Sequence, residues 1–142
     1  MNQIQIMFKK PTPSRVLIAD DDPVMRHLLT TVVKQQKCEV VMASDGREAY
    51  RILQSDSKFR AAILDINMPF LEGLDLVHYM RSEKRLMKIP IMIITAEENL
   101  KLMNDSFSAG ATAFLPKPFT PEQLESAILM LLHSQKMTKS AS

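Results

Sequence analysis

Short apolar runs alternate along the chain with stretches in which apolar residues recur every three or four positions. The runs are four to seven residues long, are rich in Val, Ile, Leu and Ala, and end at polar or turn-forming residues, as buried parallel strands do. The pattern therefore predicts strands at VLIA (16–19), EVVMA (39–43), AAILDI (61–66), IPIMIIT (89–95) and ATAFL (111–115).

The intervening stretches have the spacing and end signals of amphipathic helices. Ser44 or Asp45 can cap the second of them, and Gly110 is a natural end for the fourth. In the fifth, Thr120 is expected as the N-cap and Pro121 in the first turn. We expect five helices in all. The first begins at Pro23, the second spans 47–54, and the third carries Leu74, Val77 and Met80. The fourth spans roughly 97–109, and the fifth begins at 120–123.

Alternating strands and helices, with strands apolar on both faces, predict an α/β fold. We expect a doubly wound parallel sheet of five strands with helices on both faces. The domain is predicted over 14–134, with an N-terminal extension at 1–13 and a C-terminal tail at 135–142. Sites in such sheets lie beyond the carboxyl ends of the strands.

The composition suits one globular domain, since 46% of the 142 residues are hydrophobic and 24% are charged. Residues 14–132 hold all 16 acidic and 14 of the 18 basic residues, a net charge of −2, so no direct nucleic-acid binding is expected. The lone Cys38 cannot form an internal disulfide and suits a reducing cytoplasm. No apolar run is long enough to span a membrane, and the N-terminus does not resemble a signal peptide.

Polar side chains follow four of the predicted strands. Three aspartates, 20–22, follow the first strand. The third strand ends at Asp65, the fourth at Thr95 and the fifth at Lys117. Crowded carboxylates need a cation, and oxygen ligands without His or Cys favour Mg²⁺. One carboxylate can attack phosphorus, while Lys117 and the Thr95 hydroxyl can contact oxygens of the transferring group. The set is consistent with phosphoryl transfer to an aspartate.

Each of these residues taken alone has an ordinary structural explanation. An aspartate at a strand end is often a helix N-cap, a lone Thr95 is a plain strand or cap residue, and a lone Lys117 is usually just exposed. Four such features at four strand ends, one of them in a Pro-Lys-Pro sequence, favour a functional site over coincidence.

The segments that carry these residues resemble the CheY-like receiver domain of two-component response regulators. They are VLIADDDPVMR, ILDINMPFLEG, IMIITA and GATAFLPKPF, in that order. The resemblance covers 14–134 and implies the flavodoxin-like (βα)5 receiver fold. It also implies a phosphorylation-controlled signalling switch, expected here as a stand-alone, single-domain type.

The resemblance implies a role for each site residue. Asp65 would be the phospho-acceptor, Lys117 would contact the phosphoryl group, and Asp22 would shape the turn. Asn67 and Glu97 would tune how fast water removes the phosphate, and moderate lability is expected. The ligands of Mg²⁺ would be Asp20, Asp21, Asp65 and the main-chain carbonyl of Asn67.

The resemblance also implies a switch made of Thr95 and Phe114. On phosphorylation Thr95 would move to donate to a phosphoryl oxygen, and Phe114 would turn into the space that it leaves. The face formed by helix 4, strand 5 and helix 5 would change for a protein partner. Phe114 has no hydroxyl to satisfy when inward, so the balance is expected to lean inward.

The resulting expectation is a switch that takes its phosphoryl group from a histidine kinase or a phosphotransfer protein and then binds a downstream protein. Its chemistry would be self-phosphorylation and autodephosphorylation, so it would not be an enzyme acting on an external substrate. The segments 111–113 and 125–128 lack the charges that receivers of winged-helix transcription factors use to dimerise. A monomer or weak dimer is therefore expected.

Three alternatives remain open at this point. A haloacid-dehalogenase-type phosphatase would use Asp20 as nucleophile and Asp22 as general acid, but the acidic pair expected after Lys117 is missing. The chain could be a receiver fragment of a longer multidomain regulator. A degenerate receiver that only binds protein is disfavoured, because every expected site residue is present.

Overall fold

The computed structural model describes residues 13–96 and 99–141, with side chains described through Ser134. Within these ranges five strands and five helices alternate, as the apolar pattern predicts. The strands are β1 (Arg15–Ala19), β2 (Glu39–Ala43), β3 (Ala61–Asp65), β4 (Ile91–Thr95) and β5 (Ala113–Pro116). The helices are α1 (Pro23–Gln35), α2 (Gly46–Ser55), α3 (Gly73–Ser82), α4 (Leu100–Ala109) and α5 (Pro121–Ala141).

All five strands are parallel and lie in the order β2-β1-β3-β4-β5. Two apolar cores lie on opposite faces of this sheet. Along β1, Leu17 and Ala19 belong to the core under α2, α3 and α4, whereas Val16 and Ile18 belong to the core under α1 and α5. The predicted doubly wound α/β fold is confirmed.

Two strands begin later than the apolar runs predict. β4 begins at Ile91, because Pro90 before it has no amide hydrogen to add to the ladder. β5 begins at Ala113, because Ala111 still bonds to the last turn of α4. There the amide of Ala111 donates to the carbonyl of Ser106 at 3.0 Å.

Two helices also differ from the predicted limits. α4 begins at Leu100, because the side chain of Asn99 caps it by accepting a hydrogen bond from the amide of Leu102 at 2.6 Å. α5 runs through Ala141 into the segment predicted as a C-terminal tail, and the limits of the domain stay a prediction. Within the described residues, none of the helices has the length and apolarity needed to cross a bilayer.

Several predicted helix ends are confirmed. Asp45 caps α2 by accepting from the amide of Glu48 at 2.8 Å. At the start of α5, the Thr120 hydroxyl accepts from the amide of Gln123 at 3.0 Å, and the Gln123 side chain accepts from the amide of Thr120 at 2.8 Å. Gly110 ends α4 in the left-handed region, with φ of +118°.

The strand order places the carboxyl ends of β1 and β3 side by side at the point where the winding reverses. The chain goes from β1 to β2 on one side and then crosses back to β3 on the other. Such a topological switch point leaves a crevice above the sheet edge, where ligands bind in open α/β folds. The fold therefore brings together the ends of the two strands that carry aspartates.

Gly73, the first residue of α3, packs against the end of β3. A Cβ atom at this position would lie 2.5 Å from the carbonyl oxygen of Asp65 and 2.9 Å from Cα of Ile66. No side chain fits there without moving the backbone of the strand that carries the predicted phospho-acceptor. The close approach of α3 to β3 therefore depends on this glycine.

We expect Gly73→Ala to lower the free energy of unfolding by about 1–3 kcal/mol, the usual cost of forcing a methyl group into a packed site. Alanine is otherwise the better helix former, so a loss of stability would isolate the clash. Urea unfolding measures it, with the exposed Ser108→Ala in α4 as a control expected within about 0.5 kcal/mol of the original chain. A Gly73→Ala protein as stable as the original would contradict the close approach.

Candidate phosphoryl-transfer site

β1 and β3 place two aspartates next to each other at their carboxyl ends. Asp20 directly follows β1 and is 0% exposed, and Asp65 is the last residue of β3 and is 7% exposed. Asp21 is exposed at the rim. One carboxylate oxygen from each of the three lies within 4.8 Å of the others. The carboxylate cluster predicted from the sequence is therefore present.

The two oxygens of the Asp20 carboxylate have different surroundings. Oδ1 accepts a hydrogen bond from the amide of Asp22 at 2.8 Å. Oδ2 is buried, has no hydrogen-bond donor among the described residues, and lies 3.9 Å from Nζ of Lys117. Burial raises the pKa of Asp20, against the opposing effects of the Asp22 amide and Lys117. A buried carboxylate oxygen without a donor is a position that suits a bound cation.

Asp65 holds its proton more tightly than an ordinary aspartate. Burial, and next the charge of Asp20, raise the pKa of Asp65 from 3.8 to about 6. Lys117 and the amide of Asn67, which donates to Oδ1 at 3.3 Å, act in the opposite direction. A cation bound between the carboxylates would remove much of this repulsion and favour the ionised, nucleophilic form.

Lys117 approaches the carboxylates from the end of β5. Its amide donates to the carbonyl of Thr95 at 2.7 Å, which extends the pairing of β4 with β5 past Pro116. A cis peptide bond joins Lys117 to Pro118. The partly buried ammonium group faces the carboxylate of Asp20 across 3.9 Å. The structure therefore brings Lys117 to the aspartate cluster, as the sequence predicts.

The donor set fits Mg²⁺. Asp20, Asp21 and Asp65 offer hard oxygen ligands within one small volume, and one of those oxygens is buried without a donor among the described residues. The amide of Asn67 is held by Asp65, which leaves its peptide close to the cluster. Asn67 as a ligand through its carbonyl stays a prediction.

The two predicted switch residues lie on neighbouring strands. Thr95 ends β4 and is buried, and Phe114 in β5 is half-buried against the core beneath α4. Phe114 lines a groove of about 260 Å³ together with Asn99, Leu100, Met103 and Pro116. Glu97, predicted to tune dephosphorylation, lies outside the described residues, and the switch roles stay predictions.

Asp22 has a structural role at the start of α1. Its Oδ1 accepts a hydrogen bond from the amide of Val24 at 3.0 Å, and Pro23 occupies the first turn. The cluster of possible metal ligands among the described residues does not include it. Asp22 therefore shapes the turn, as predicted. Its carboxylate caps α1, whereas in the phosphatase alternative it would have to act as a general acid.

Arg26, which the sequence analysis does not single out, also supports the site. Its Nη1 donates to the main-chain carbonyl of Asp20 at 2.7 Å, so α1 holds the turn that carries Asp20 and Asp21. Its position at the end of the segment VLIADDDPVMR was a signal for it, but its partner, a main-chain carbonyl, could not be predicted from that segment.

A doubly wound sheet of this topology, with three carboxylates and a lysine at its carboxyl edge, defines the class of CheY-like receiver domains. The family described as response regulator receiver domain matches residues 16–129, and the chain belongs to that family. Receiver domains act in two-component signalling as signalling proteins, not as metabolic enzymes, and generally bind Mg²⁺ through acidic residues.

Individual relatives agree with this assignment. The chain is 34% identical over 119 residues to chemotaxis protein CheY1 of Helicobacter pylori, covering 83% of this chain and 96% of that protein. It is 36% identical over 120 residues to response regulator MprA of Mycolicibacterium vanbaalenii, covering 84% of this chain and 51% of MprA. The chain therefore spans about half the length of this second relative.

Solved structures show the same fold. The chemotaxis response regulator CheY4 of Vibrio cholerae matches with a TM-score of 0.77 and 32% identity, covering 84% of this chain and 99% of that one. A CheY-like receiver domain protein of Methanospirillum hungatei matches with a TM-score of 0.80 and 25% identity, covering 89% of this chain and 99% of that one. The predicted receiver fold is confirmed.

The raised pKa of Asp65 predicts a pH-dependent stability of the metal-free protein. The folded protein binds the proton of the Asp65 carboxyl group more tightly than the unfolded chain does. Protonation of Asp65 therefore stabilises the fold fully below about pH 4, and this stabilisation is lost as pH rises through about 6. With EDTA present, Asp65→Asn should therefore unfold with a free energy higher by on the order of 2 kcal/mol at about pH 7.5, and the difference should shrink toward about pH 4.

Urea unfolding at several pH values measures this difference. Asp22→Asn is the matched control, because asparagine caps a helix as well as aspartate does and Asp22 lies outside the cluster. A difference in free energy of unfolding between the original chain and Asp65→Asn that stays constant with pH would contradict the raised pKa of Asp65.

Proposed function

We propose that the chain is a signalling switch that accepts a phosphoryl group on Asp65 in a Mg²⁺-dependent reaction and then binds a downstream protein. The observation that carries this proposal is the cluster of Asp20, Asp21 and Asp65 within 4.8 Å, with a buried oxygen of Asp20 that lacks a donor among the described residues. The phosphoryl group would come from a histidine kinase or a phosphotransfer protein, and the chain would act on no external substrate.

In the transfer step, a carboxylate oxygen of Asp65 attacks phosphorus in line with the bond that breaks. With a phosphohistidine donor, the new bond joins phosphorus to oxygen of Asp65, and the broken bond joined phosphorus to an imidazole nitrogen. That nitrogen keeps the electron pair and takes a proton from solvent. The buried position of Asp65 in β3 holds the attacking oxygen at the end of a rigid strand.

Mg²⁺ bound at the cluster would neutralise the phosphoryl oxygens and the carboxylates that face them. The ammonium group of Lys117, 3.9 Å from Oδ2 of Asp20, would pair with a phosphoryl oxygen after moving away from Asp20. Hydrolysis would return the acceptor to its free carboxylate. We propose that Asn67 and Glu97 tune that rate and leave the phosphate moderately labile.

Signalling would follow from a rearrangement of Thr95 and Phe114. A phosphoryl oxygen above β4 would attract the Thr95 hydroxyl, and Phe114 would turn inward toward the space that it leaves. Both residues border the face formed by α4, β5 and α5. Exposed apolar side chains on this face, Leu100, Phe107 and Met130, support its use as a surface for a protein partner.

The biological setting follows only in part from the relatives. CheY1 of Helicobacter pylori is described as a chemotaxis protein, and MprA as a response regulator. We infer a two-component partner on the donor side and a protein on the receiving side, with the chain working as a monomer or weak dimer in the cytoplasm. Motility, a phosphorelay and development are all compatible with this site.

Intact-mass spectrometry after incubation with acetyl phosphate and Mg²⁺ tests the proposal. One phosphoryl adduct is expected on the original chain, none with Asp65→Asn, and none when EDTA replaces Mg²⁺. Asp20→Asn should reduce the adduct strongly by weakening the cation site. Asp22→Asn, the matched control next in sequence, should behave like the original chain because its side chain caps α1.

Two results would contradict the proposal. An adduct that persists in Asp65→Asn and disappears in Asp20→Asn would identify Asp20 as the nucleophile and favour a phosphatase. The absence of any adduct with acetyl phosphate, and also with a phosphorylated histidine donor, would favour a domain that only binds protein.

We also expect the ring of Phe114 to populate the inward position before phosphorylation, because an inward phenyl ring leaves no hydroxyl to satisfy. Side-chain NMR measures contacts of the ring with and without beryllofluoride and Mg²⁺. Phe114→Tyr is the comparison, and its hydroxyl should shift the metal-free population outward. An outward Phe114 ring in both states would rule out this expectation.

A further inference from the structure

The loop after the phospho-acceptor contains a strained turn. Pro69, Phe70 and Leu71 form a γ-turn, in which the amide of Leu71 donates to the carbonyl of Pro69 at 2.8 Å and Phe70 has φ of +72°. A γ-turn with a positive central φ is rare and strained, and a bulky side chain at such a φ is an outlier. Something outside the turn must compensate this strain.

Burial of the Phe70 ring does not compensate it, because the side chain is 69% exposed. The guanidinium of Arg47, in the first turn of α2, lies over this ring, with Cζ 4.1 Å from the ring centroid. Among the described residues, no carboxylate lies within ion-pair distance of Arg47. The cation–π contact is therefore the interaction that joins these two exposed side chains.

Backbone packing next to this contact brings the same two elements together. A Cβ atom on Gly46, which precedes Arg47, would overlap the carbonyl group of Leu71. The start of α2 and the γ-turn therefore touch at two consecutive residues of each segment. A contact of this kind fixes the far side of the loop relative to α2.

The near side of the loop is held at the phosphorylation site itself. The amide of Asn67 donates to Oδ1 of Asp65 at 3.3 Å, and the amide of Gly73 donates to the carbonyl of Ile66 at 3.0 Å. The Asn67 carbonyl, a predicted Mg²⁺ ligand, belongs to the peptide that follows Asn67 and lies in the chain between the bonded Asn67 amide and the γ-turn. Movement of the turn would change the orientation of that peptide.

We propose that Arg47 and Phe70 form a clasp that holds the loop 66–73 closed and thereby positions the Asn67 carbonyl for Mg²⁺. Both are positioning residues, since neither belongs to the cluster of Asp20, Asp21 and Asp65. The link to Mg²⁺ rests on the proposed function, whereas the closure of the loop does not. Two measurements keep the two parts separate.

Hydrogen exchange in the metal-free protein tests the closure. Arg47→Gln should raise exchange of the loop amides over 66–73 by about two- to fivefold, the size expected from losing an exposed cation–π contact. Arg47→Lys retains a cation and should restore most of the protection. Phe70→Gly removes the strain together with the ring, so Arg47→Gln should have no further effect in that background.

Titration of Mg²⁺ by calorimetry tests the positioning. Arg47→Gln should weaken Mg²⁺ binding by about two- to fivefold, with recovery in Arg47→Lys. Exposed Arg51→Gln, one turn along α2, is the matched control and should leave both measurements unchanged. Thermal unfolding of each variant confirms that the fold is intact.

Unchanged loop exchange in Arg47→Gln, or an equal increase in the Phe70→Gly background, would overturn the clasp. Faster exchange with unchanged Mg²⁺ affinity would overturn its positioning role. If the original chain itself binds no Mg²⁺, the proposed metal site fails, while the exchange measurement still decides whether the clasp exists.

Discussion

Repulsion among the carboxylates of Asp20, Asp21 and Asp65 is the constraint on which the rest of the site depends. Two of these groups are almost fully buried, and the structure shows one carboxylate oxygen that meets no donor in the described part of the chain. Such an arrangement is unfavourable without a cation and becomes favourable with one. Burial, and next the charge of Asp20, raises the pKa of Asp65, so its protonation state depends on what binds beside it.

The backbone around the cluster is arranged to withstand that repulsion. The amides of Asp22 and Asn67 each donate to a clustered carboxylate, and Arg26 holds the carbonyl of Asp20 from α1. Gly73 allows α3 to start directly against the end of β3. The two amides and the close approach at Gly73 hold the acidic side chains in place with main-chain atoms, and Arg26 adds a positive charge near the turn that carries Asp20.

The site is also connected to a surface that a partner could contact. Lys117 contacts both the cluster and β4. Its ammonium group faces Asp20, and its amide donates to the carbonyl of Thr95. Thr95 and Phe114 lie on the paired strands β4 and β5, and β5 is an edge strand of the sheet. This continuity of bonded groups between the cluster and β5 is the structural basis of the proposed switch.

The order of strands and helices, most of the caps and the aspartates, threonine and lysine at the strand ends could all be predicted from the sequence. These features depend on neighbours within one or two turns of chain: apolar runs determine buried strands, and Asp45, Thr120 and Gly110 cap helices locally. The start of α4 was expected near 97, whereas Asn99 is the cap and the helix begins at Leu100. The rule that parallel strands end at one edge predicted that the aspartates after β1 and β3 meet, whereas the resemblance to receiver domains singled out Asp20 and Asp21 from Asp22.

Tertiary structure alone decided how deeply Asp20 is buried, which groups meet its two oxygens, and which arginines serve the site. Arg26 contacts a carbonyl six residues before it, Arg47 contacts an aromatic ring in the loop after β3, and the spacing of residues alone predicts neither contact. The positive φ of Phe70 likewise depends on the packing of its loop against α2. The physical reason is that burial, and with it the strength of every charge interaction, is set by residues that are distant in sequence and adjacent only in the fold.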